Sequence, residues 1–375
     1  MRKLPATVIE KISDFEAESP LSLRGYAIEK DFFVVETIAL IKALPIDPDF
    51  RFVFCGGTCL AKAHGILDRM SEDIDFKVVP SDSVAGLGTA ALRRKLSAFV
   101  TKVMAWLEEG EGGFGKGSVS RRSLDDNRYT SLDVTYQSAF GKPASLRAHL
   151  LIELNYTTPG SPTEMHAVGL LLDKLTTGAY QHKIDIECVS IQQALAEKLV
   201  SFPRRLSLQL QKNSEDQTVE LTDAWDKAMV RHLFDVYQII QSCPVVLADV
   251  PALGRNASST IAHDAIEFAA QHPQFCTAPL AQLQDALAWA ASSSVLHAQY
   301  DLFVADMVYG PPAKTPSYDQ ALGTFTKTLL AALATTSPAD ILRGIEAALD
   351  SKKKKQRQWH PICATRFNQI NRYFP

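Results

Sequence analysis

The chain has 375 residues, of which 46% are hydrophobic and 22% charged; 39 Lys+Arg stand against 42 Asp+Glu, a formal charge of −3. That length fits roughly two domains of about 150 residues or more, and the composition is that of a globular rather than a disordered chain. The charge balance excludes a broadly basic nucleic-acid coat, so nucleic-acid contact must rest on local patches.

The first fifteen residues carry Lys3, Glu10, Lys11 and Asp14 and lack the apolar core of a secretory signal. With no run of 18 apolar residues to span a membrane, a cytoplasmic protein is expected. Residues 32–44 read as an apolar helix stopped by Pro45 and Pro48. Residues 51–54 read as a short strand running into Gly56-Gly57, and 58–66 have helical spacing. A second strand is expected over 74–79, and a helix over 90–109 with Leu92, Leu96, Phe99, Val103 and Leu107 on one face. The Gly-rich stretch 110–117 reads as a mobile loop. Strands are expected over 129–136, 149–155 and 184–189.

From residue 190 onward the signals are helical. Ser190 is an N-cap for a helix over 191–202 that Pro203 ends, and polar residues 207–217 read as a loop. Further helices are expected over 222–241, 262–271, 280–303, 318–334 and 339–349. The six cysteines (Cys55, Cys59, Cys188, Cys243, Cys276 and Cys363) form no C-x-x-C pair and read as reduced thiols. Cys55 and Cys59 have no matching Cys/His pair for zinc. His64 reads as a helix-surface residue.

The chemistry concentrates in residues 54–76. A strand ends in two glycines, which allow close approach to a bulky ligand. The helix that starts near Thr58 offers unpaired N–H groups to phosphate. Asp73-Ile-Asp75 follows, and residues i and i+2 of a strand face the same way. Unit charges about 4 Å apart repel by about 4 kcal/mol at an effective dielectric of ~20, and a divalent cation relieves that cost. Hard Mg²⁺ prefers such oxygen ligands. A phosphate cradle beside paired carboxylates is the equipment of metal-dependent phosphoryl or nucleotidyl transfer. Further along, Glu153 is a lone acid in an apolar strand and needs a partner or a metal. Arg231 and Asp235 lie one helical turn apart and share a face.

The string Gly56-Gly-Thr-x-Leu-x-Lys62, followed by Arg69-x-Ser-Glu-Asp-Ile-Asp75, resembles the AbiEii/AbiGii-type nucleotidyltransferase toxins, a group with MenT-like toxins, within the DNA polymerase beta-like nucleotidyltransferase superfamily. The resemblance covers roughly residues 30–240. It implies an α/β (α+β) fold: a nucleotidyltransferase domain over 1–188 with a mixed sheet and flanking helices, then a helical domain over 189–375, with the NTP cleft between them. It implies Mg²⁺ on Asp73 and Asp75, with Glu153 as third carboxylate and Asp133 as its competitor. Gly56, Gly57 and Thr58 would hold phosphates. Ser71 and Thr58 would bond phosphate or metal-bound water, or else cap helices. Lys62 and Arg69 would face the nucleotide or brace the carboxylates.

The stretch 187–199 is similar to the family's strand-turn-helix with an E-K-L lysine, so Lys198 would face the triphosphate. Residues 230–237 resemble its R-D-x-x-D-L-Y helix, with Arg231 toward the nucleotide and Asp235 orienting Lys198 or acting as a carboxylate. His232 stands where the family has Asp, and 207–217 resembles an insertion. The implied reaction moves NMP from an NTP to a hydroxyl, with the tRNA 3′ end as expected acceptor and an antitoxin as partner, in growth arrest or phage defence. A small-molecule acceptor of aminoglycoside type, a protein hydroxyl, or a degenerate NTP-binding protein are the alternatives. Arg93-Arg94-Lys95, Arg121-Arg122, Arg204-Arg205 and Lys352–Lys355 would form a basic RNA surface, though each singly reads as solvated charge.

Overall fold

Phe50, Phe52 and Phe54 alternate with Arg51, Val53 and Cys55, and a strand that alternates in this way puts three rings on one face. In the computed structural model of the protein, residues 1–337 are described apart from 20, 22, 142–145 and 216–224, together with 339, 341, 343 and 345. The described residues form seven strands: β1 (Phe50–Cys55), β2 (Asp73–Pro80), β3 (Val119–Leu124), β4 (Tyr129–Val134), β5 (Leu150–Tyr156), β6 (Thr163–Val168) and β7 (Ile184–Val189). They make one mixed sheet in the order β3-β4-β5-β2-β1-β7-β6. β1 is antiparallel to β2 and parallel to β7, and β2 is parallel to β5. The outer pairs β3–β4, β4–β5 and β6–β7 are antiparallel.

The chain divides into two compact units: Met1–Ala194 with Asp306–Pro312, and Leu195–Ala305 with the chain from Ala313 onward. The first holds the sheet and α1 (Ala6–Glu18), α2 (Gly25–Lys42), α3 (Gly56–Lys62), α4 (Asp82–Ala85), α5 (Thr89–Glu109) and α6 (Leu171–Thr177). Register aligns Phe52 with Val78 and Phe54 with Phe76, so one sheet face is an aromatic layer. Phe99 of α5 covers it, its ring centroid 5.0 Å from that of Phe50 and 5.2 Å from that of Phe52. Burying each such ring contributes about 1.5–3 kcal/mol. Trp106 Nε1 donates to Leu40 O at 2.7 Å and ties α5 to α2.

The regular elements of the second unit among its described residues are all helices: most of α7 (Ile191–Glu215), then α8 (Arg231–Ser242), α9 (Val250–Glu267), α10 (Pro273–Thr277), α11 (Pro279–Ser292), most of α12 (Ser294–Met307), and α13 (Tyr318–Ala334). Phe202 meets Phe325 edge-on at 5.3 Å, and Phe234 meets Phe303 at 5.7 Å. No described helix is long and apolar enough to cross a membrane.

This is the mixed α/β architecture with flanking helices and a helical C-terminal part that the resemblance implies. Several elements differ from expectation. Pro203 does not end its helix: α7 runs through it to Glu215, taking in much of the expected loop over 207–217. The apolar stripe Leu195, Leu199, Phe202 and Leu206 continues across the proline and is fully buried, which outweighs a proline cost of about 3 kcal/mol. Of the helix expected over 222–241, residues 222–224 lie outside the described residues; after Trp225 a 3₁₀ turn capped by Asp226, whose carboxylate accepts from Ala228 N, leads into α8 at Arg231. The helix over 262–271 starts earlier, at Val250, because Asp249 caps Ala252 N. The long helix over 280–303 breaks at Ser293, whose ψ of 104° is extended. The Gly-rich stretch 110–117 is pinned rather than free: Phe114 is buried, its N–H donates to Leu107 O, and Gly115 N donates to Glu108 O. Strands β3 and β6 are additional. The helix over 339–349 falls largely, and the basic run 352–357 and Cys363 wholly, outside the described residues.

Candidate active site

β1 ends at Cys55 and α3 opens at once with Gly56-Gly57-Thr58. Gly56 has φ +76°, and a Cβ there would overlap the Asp75 carboxylate. A Cβ on Gly57 would lie 2.7 Å from Arg69 Nη2 and 3.1 Å from Ser71 Oγ. Gly56 is therefore required by its backbone conformation and by the carboxylate beside it, while a side chain at Gly57 would displace the Arg69 guanidinium and Ser71. Thr58 is fully buried; its hydroxyl lies 2.8 Å from Ser71 Oγ and donates to the Asp73 carbonyl. It braces the start of β2 instead of capping α3. Arg69 is buried, with Nη1 donating to Met70 O at 2.8 Å. Thr58, Lys62, Arg69 and Ser71 line one small cleft with Lys174 and Tyr309.

Register sets the carboxylates. Asp75 is directly opposite Glu153 across the β2–β5 ladder, and Asp73, two residues earlier, shares that face. The same cross-strand row continues through Ser131 of β4 to Arg122 of β3. Asp133 stands on this face too, but it pairs with Leu151 and lies 3.4 Å from His149 Nε2, so it is not the acid opposite Asp75. The carboxyl oxygens are not gathered around one point: Asp73 accepts from Arg147, and Glu153 accepts from the Tyr129 hydroxyl. Burial works against the Arg147 charge, yet Asp73, Glu72 and Glu153 outweigh it and hold the guanidinium above its ordinary pKa. Burial, then the Glu153 charge, pushes the Tyr129 phenol up, so it stays protonated and donating. Three hard oxygen donors on one face suit a divalent cation of the Mg²⁺ type.

Three consecutive buried charges on α2 hold the loops around this face. Glu29 accepts from Ser138 Oγ at 2.5 Å and Ala139 N at 2.7 Å. Lys30 Nζ donates to Arg147 O at 2.6 Å and His149 O at 2.5 Å, and stands 3.3 Å from Glu72. Burial pulls the Lys30 pKa down and Glu72 opposes it. Asp31 pairs with Lys62 and accepts from Leu171 N at 2.8 Å. Lys62 also donates to Gly169 O at 3.2 Å, so it braces α2 and the loop before α6.

In the second unit, Lys198 of α7 and Asp235 of α8 are both buried and paired, Nζ to Oδ2 at 2.6 Å. Arg231 lies one turn before Asp235 and is half-buried. His232 Nε2 is 3.2 Å from Arg205 Nη1, and Arg205 also pairs with Asp226. Arg204 is no surface cation: it is buried on Asp264 at 2.7 Å and over the Phe268 ring at 3.8 Å. Lys95 pairs with Asp49 at 2.5 Å, and Arg93 is 3.6 Å from Asp126.

Sequence reasoning missed Arg147, Tyr129, Glu72 and the Glu29-Lys30-Asp31 run. The one local signal was three adjacent charges just before an apolar helix, where burial demands partners.

A protein-family model described as "Nucleotidyl transferase AbiEii toxin, Type IV TA system" matches residues 45–324. Among solved structures, MenT4, nucleotidyltransferase toxin Rv2826c from Mycobacterium tuberculosis H37Rv, is similar at 17% identity over 92% of this chain and 94% of that one, with a TM-score of 0.45. No curated protein sequence matches the chain.

Proposed function

Because this chain belongs to the family of nucleotidyl transferase AbiEii toxins, we propose that it transfers NMP from an NTP to a hydroxyl of RNA, at the 3′ end of tRNA, with Mg²⁺ and with release of pyrophosphate. It is a nucleotidyltransferase of a toxin–antitoxin class, which entails an NTP substrate and an antitoxin partner. The observation that carries the reading is the register: Asp75 faces Glu153, Asp73 shares their face, and the Gly56-Gly57 turn abuts Asp75. We assign catalysis to the unit that holds this face, Met1–Ala194 with Asp306–Pro312.

In this reading Asp73, Asp75 and Glu153 hold Mg²⁺, which when bound offsets charge on the entering and leaving oxygens. The Gly56 and Gly57 amides, with Ser71 and Arg69, take the phosphates. Thr58 and Lys62 position that turn. Glu153 is set to accept the acceptor hydroxyl's proton once Tyr129 gives way. In the second unit, Lys198, which Asp235 orients, and Arg231 are assigned to nucleotide binding. Arg122, exposed at the end of the carboxylate row, meets an acceptor phosphate. Since NTPs and tRNA are intracellular, the protein acts in the cytoplasm, and arrest of growth, including in infected cells, follows from blocked tRNA.

The test is purified protein with Mg²⁺, each α-³²P-labelled NTP in turn and total tRNA, followed by separation of RNA, protein and small molecules. Label on RNA, absent with Asp73→Ala of unchanged melting temperature, is expected. Label only on protein or a small molecule would replace the acceptor. Label unaffected by Asp73→Ala would overturn the site.

A further inference from the structure

A second cluster of metal-ligating side chains lies at the other end of the sheet, on residues the transfer reaction does not use. Glu164 and His166 are two apart on β6, the edge strand, and so face the same way. His64 follows α3 and leans over them, its ring centroid 4.3 Å from that of His166. One ligand atom from each of the three lies within 4.8 Å of the others.

The His64 ring is held in a ligand-ready tautomer. Its Nε2 is 2.9 Å from the Val189 carbonyl, which can only accept, so the proton sits on Nε2. Nδ1 then carries a lone pair, and it is buried with no hydrogen-bond partner. Buried polar atoms are normally satisfied, so an orphan nitrogen on an imidazole that clusters with a second imidazole and a carboxylate is a place for a ligand. A carbonyl on the far nitrogen is the usual outer partner of a metal-bound histidine. Burial also lowers the His64 pKa and favours the neutral ring. His64 is thus more than the helix-surface residue its sequence suggests.

We propose that His64 Nδ1, His166 and Glu164 bind one divalent ion of the zinc class. Two imidazoles with one carboxylate suit Zn²⁺, Co²⁺ or Ni²⁺ and not Mg²⁺, which prefers an all-oxygen shell. Ligands about 2.0–2.1 Å from a tetrahedral ion stand about 3.3 Å from one another. His166 Nε2 and Glu164 Oε2 are now 2.9 Å apart and need to part by a few tenths of an ångström, while the His64 ligand atom, within 4.8 Å of both, draws in toward them. Their side chains are 30% and 49% exposed, which gives the ion a way in and the ligands room to turn. Three protein ligands leave a fourth position for water. The ion ties the edge strand to the turn that closes α3, the helix opened by Gly56 and Gly57.

The proposal does not depend on the transfer reaction. The full chain, stripped with EDTA, is titrated with ZnCl₂ by calorimetry and with Co²⁺ by visible absorption, in excess Mg²⁺. One equivalent of Zn²⁺, tetrahedral Co²⁺ bands and a raised melting temperature are expected, unchanged in an Asp73→Ala/Asp75→Ala variant. His166→Ala and Glu164→Gln, on an exposed edge, should keep the metal-free melting temperature and weaken Zn²⁺ by at least about tenfold. Absence of stoichiometric binding, equal binding by His166→Ala, or loss with the Asp73/Asp75 variant would each overturn it.

Discussion

Arg147 donates to the carboxylate of Asp73, which in the proposed function holds the divalent cation, so guanidinium and cation would compete for it. The side chain is 40% exposed, so the pair is of the weak, solvent-screened kind. Arg147→Ala should therefore lower the Mg²⁺ concentration for half-maximal transfer by about threefold and leave the saturated rate in place. An unchanged Mg²⁺ dependence would show that cation and guanidinium do not share Asp73. Arg122, at the far end of the same row, should act on the other substrate. Arg122→Ala should raise KM for RNA by about tenfold, the loss of one charge-assisted phosphate contact, with KM for NTP unchanged. That Asp73, Asp75 and Glu153 are strand acids was legible in the sequence because the signals are local, acids two apart in a strand and one acid in an apolar run; register puts them on one face. Arg147 and Tyr129 were not, because what brings them to those acids is strand register, and no short stretch of chain encodes it.

At the level of elements, the turn from β1 to α3 concentrates the constraints. Gly56→Ala places a methyl on the Asp75 carboxylate at a positive φ. It should lower transfer by at least about 100-fold and reduce stability by about 1–3 kcal/mol, read from kcat and urea unfolding. Retained activity would mean that Asp75 is free to move. On α2, Asp31→Ala strands the buried Lys62 ammonium and should cost about 3–5 kcal/mol in urea unfolding. Asp31→Ala together with Lys62→Met should recover much of it; if the double variant is as unstable as the single, the charge is not the cause. The central strands were readable as apolar runs bounded by Gly and Pro. β3 and β6 were not, since Val119-Ser-Arg-Arg-Ser-Leu and Thr163-Glu-Met-His-Ala-Val are polar outer strands. The course of α7 past Pro203 was also hidden, because tertiary burial of Phe202 and Leu206 decides it, not local propensity.

At the level of the whole molecule, the second unit carries its own acid sensitivity. His272 is fully buried against Phe275, and burial, with Arg204 and Lys212 adding their charge, lowers its pKa to about 4. The unfolded chain binds that proton near pH 6.5, so stability is full above this value and is lost as pH falls toward about 4. By pH 5 the loss should be about 2 kcal/mol in urea unfolding, and His272→Gln should remove this dependence. The first unit is not continuous in the chain: Met307 O accepts from Met70 N at 2.8 Å, and Asp68 O accepts from Tyr309 N at 3.1 Å and Gly310 N at 3.2 Å. In a 1–194 fragment the Met70 amide should exchange with solvent far faster than in the full chain. Equal protection would mean that the returning strap is not its partner. The strap also bears on inheritance. A gene fusion that exchanges the helical unit at one junction would leave the sheet-bearing unit without the stretch that bridges to Arg69. A successful exchange must respect three junctions, at 194/195, 305/306 and 312/313, so the two units are expected to descend together rather than as separable modules.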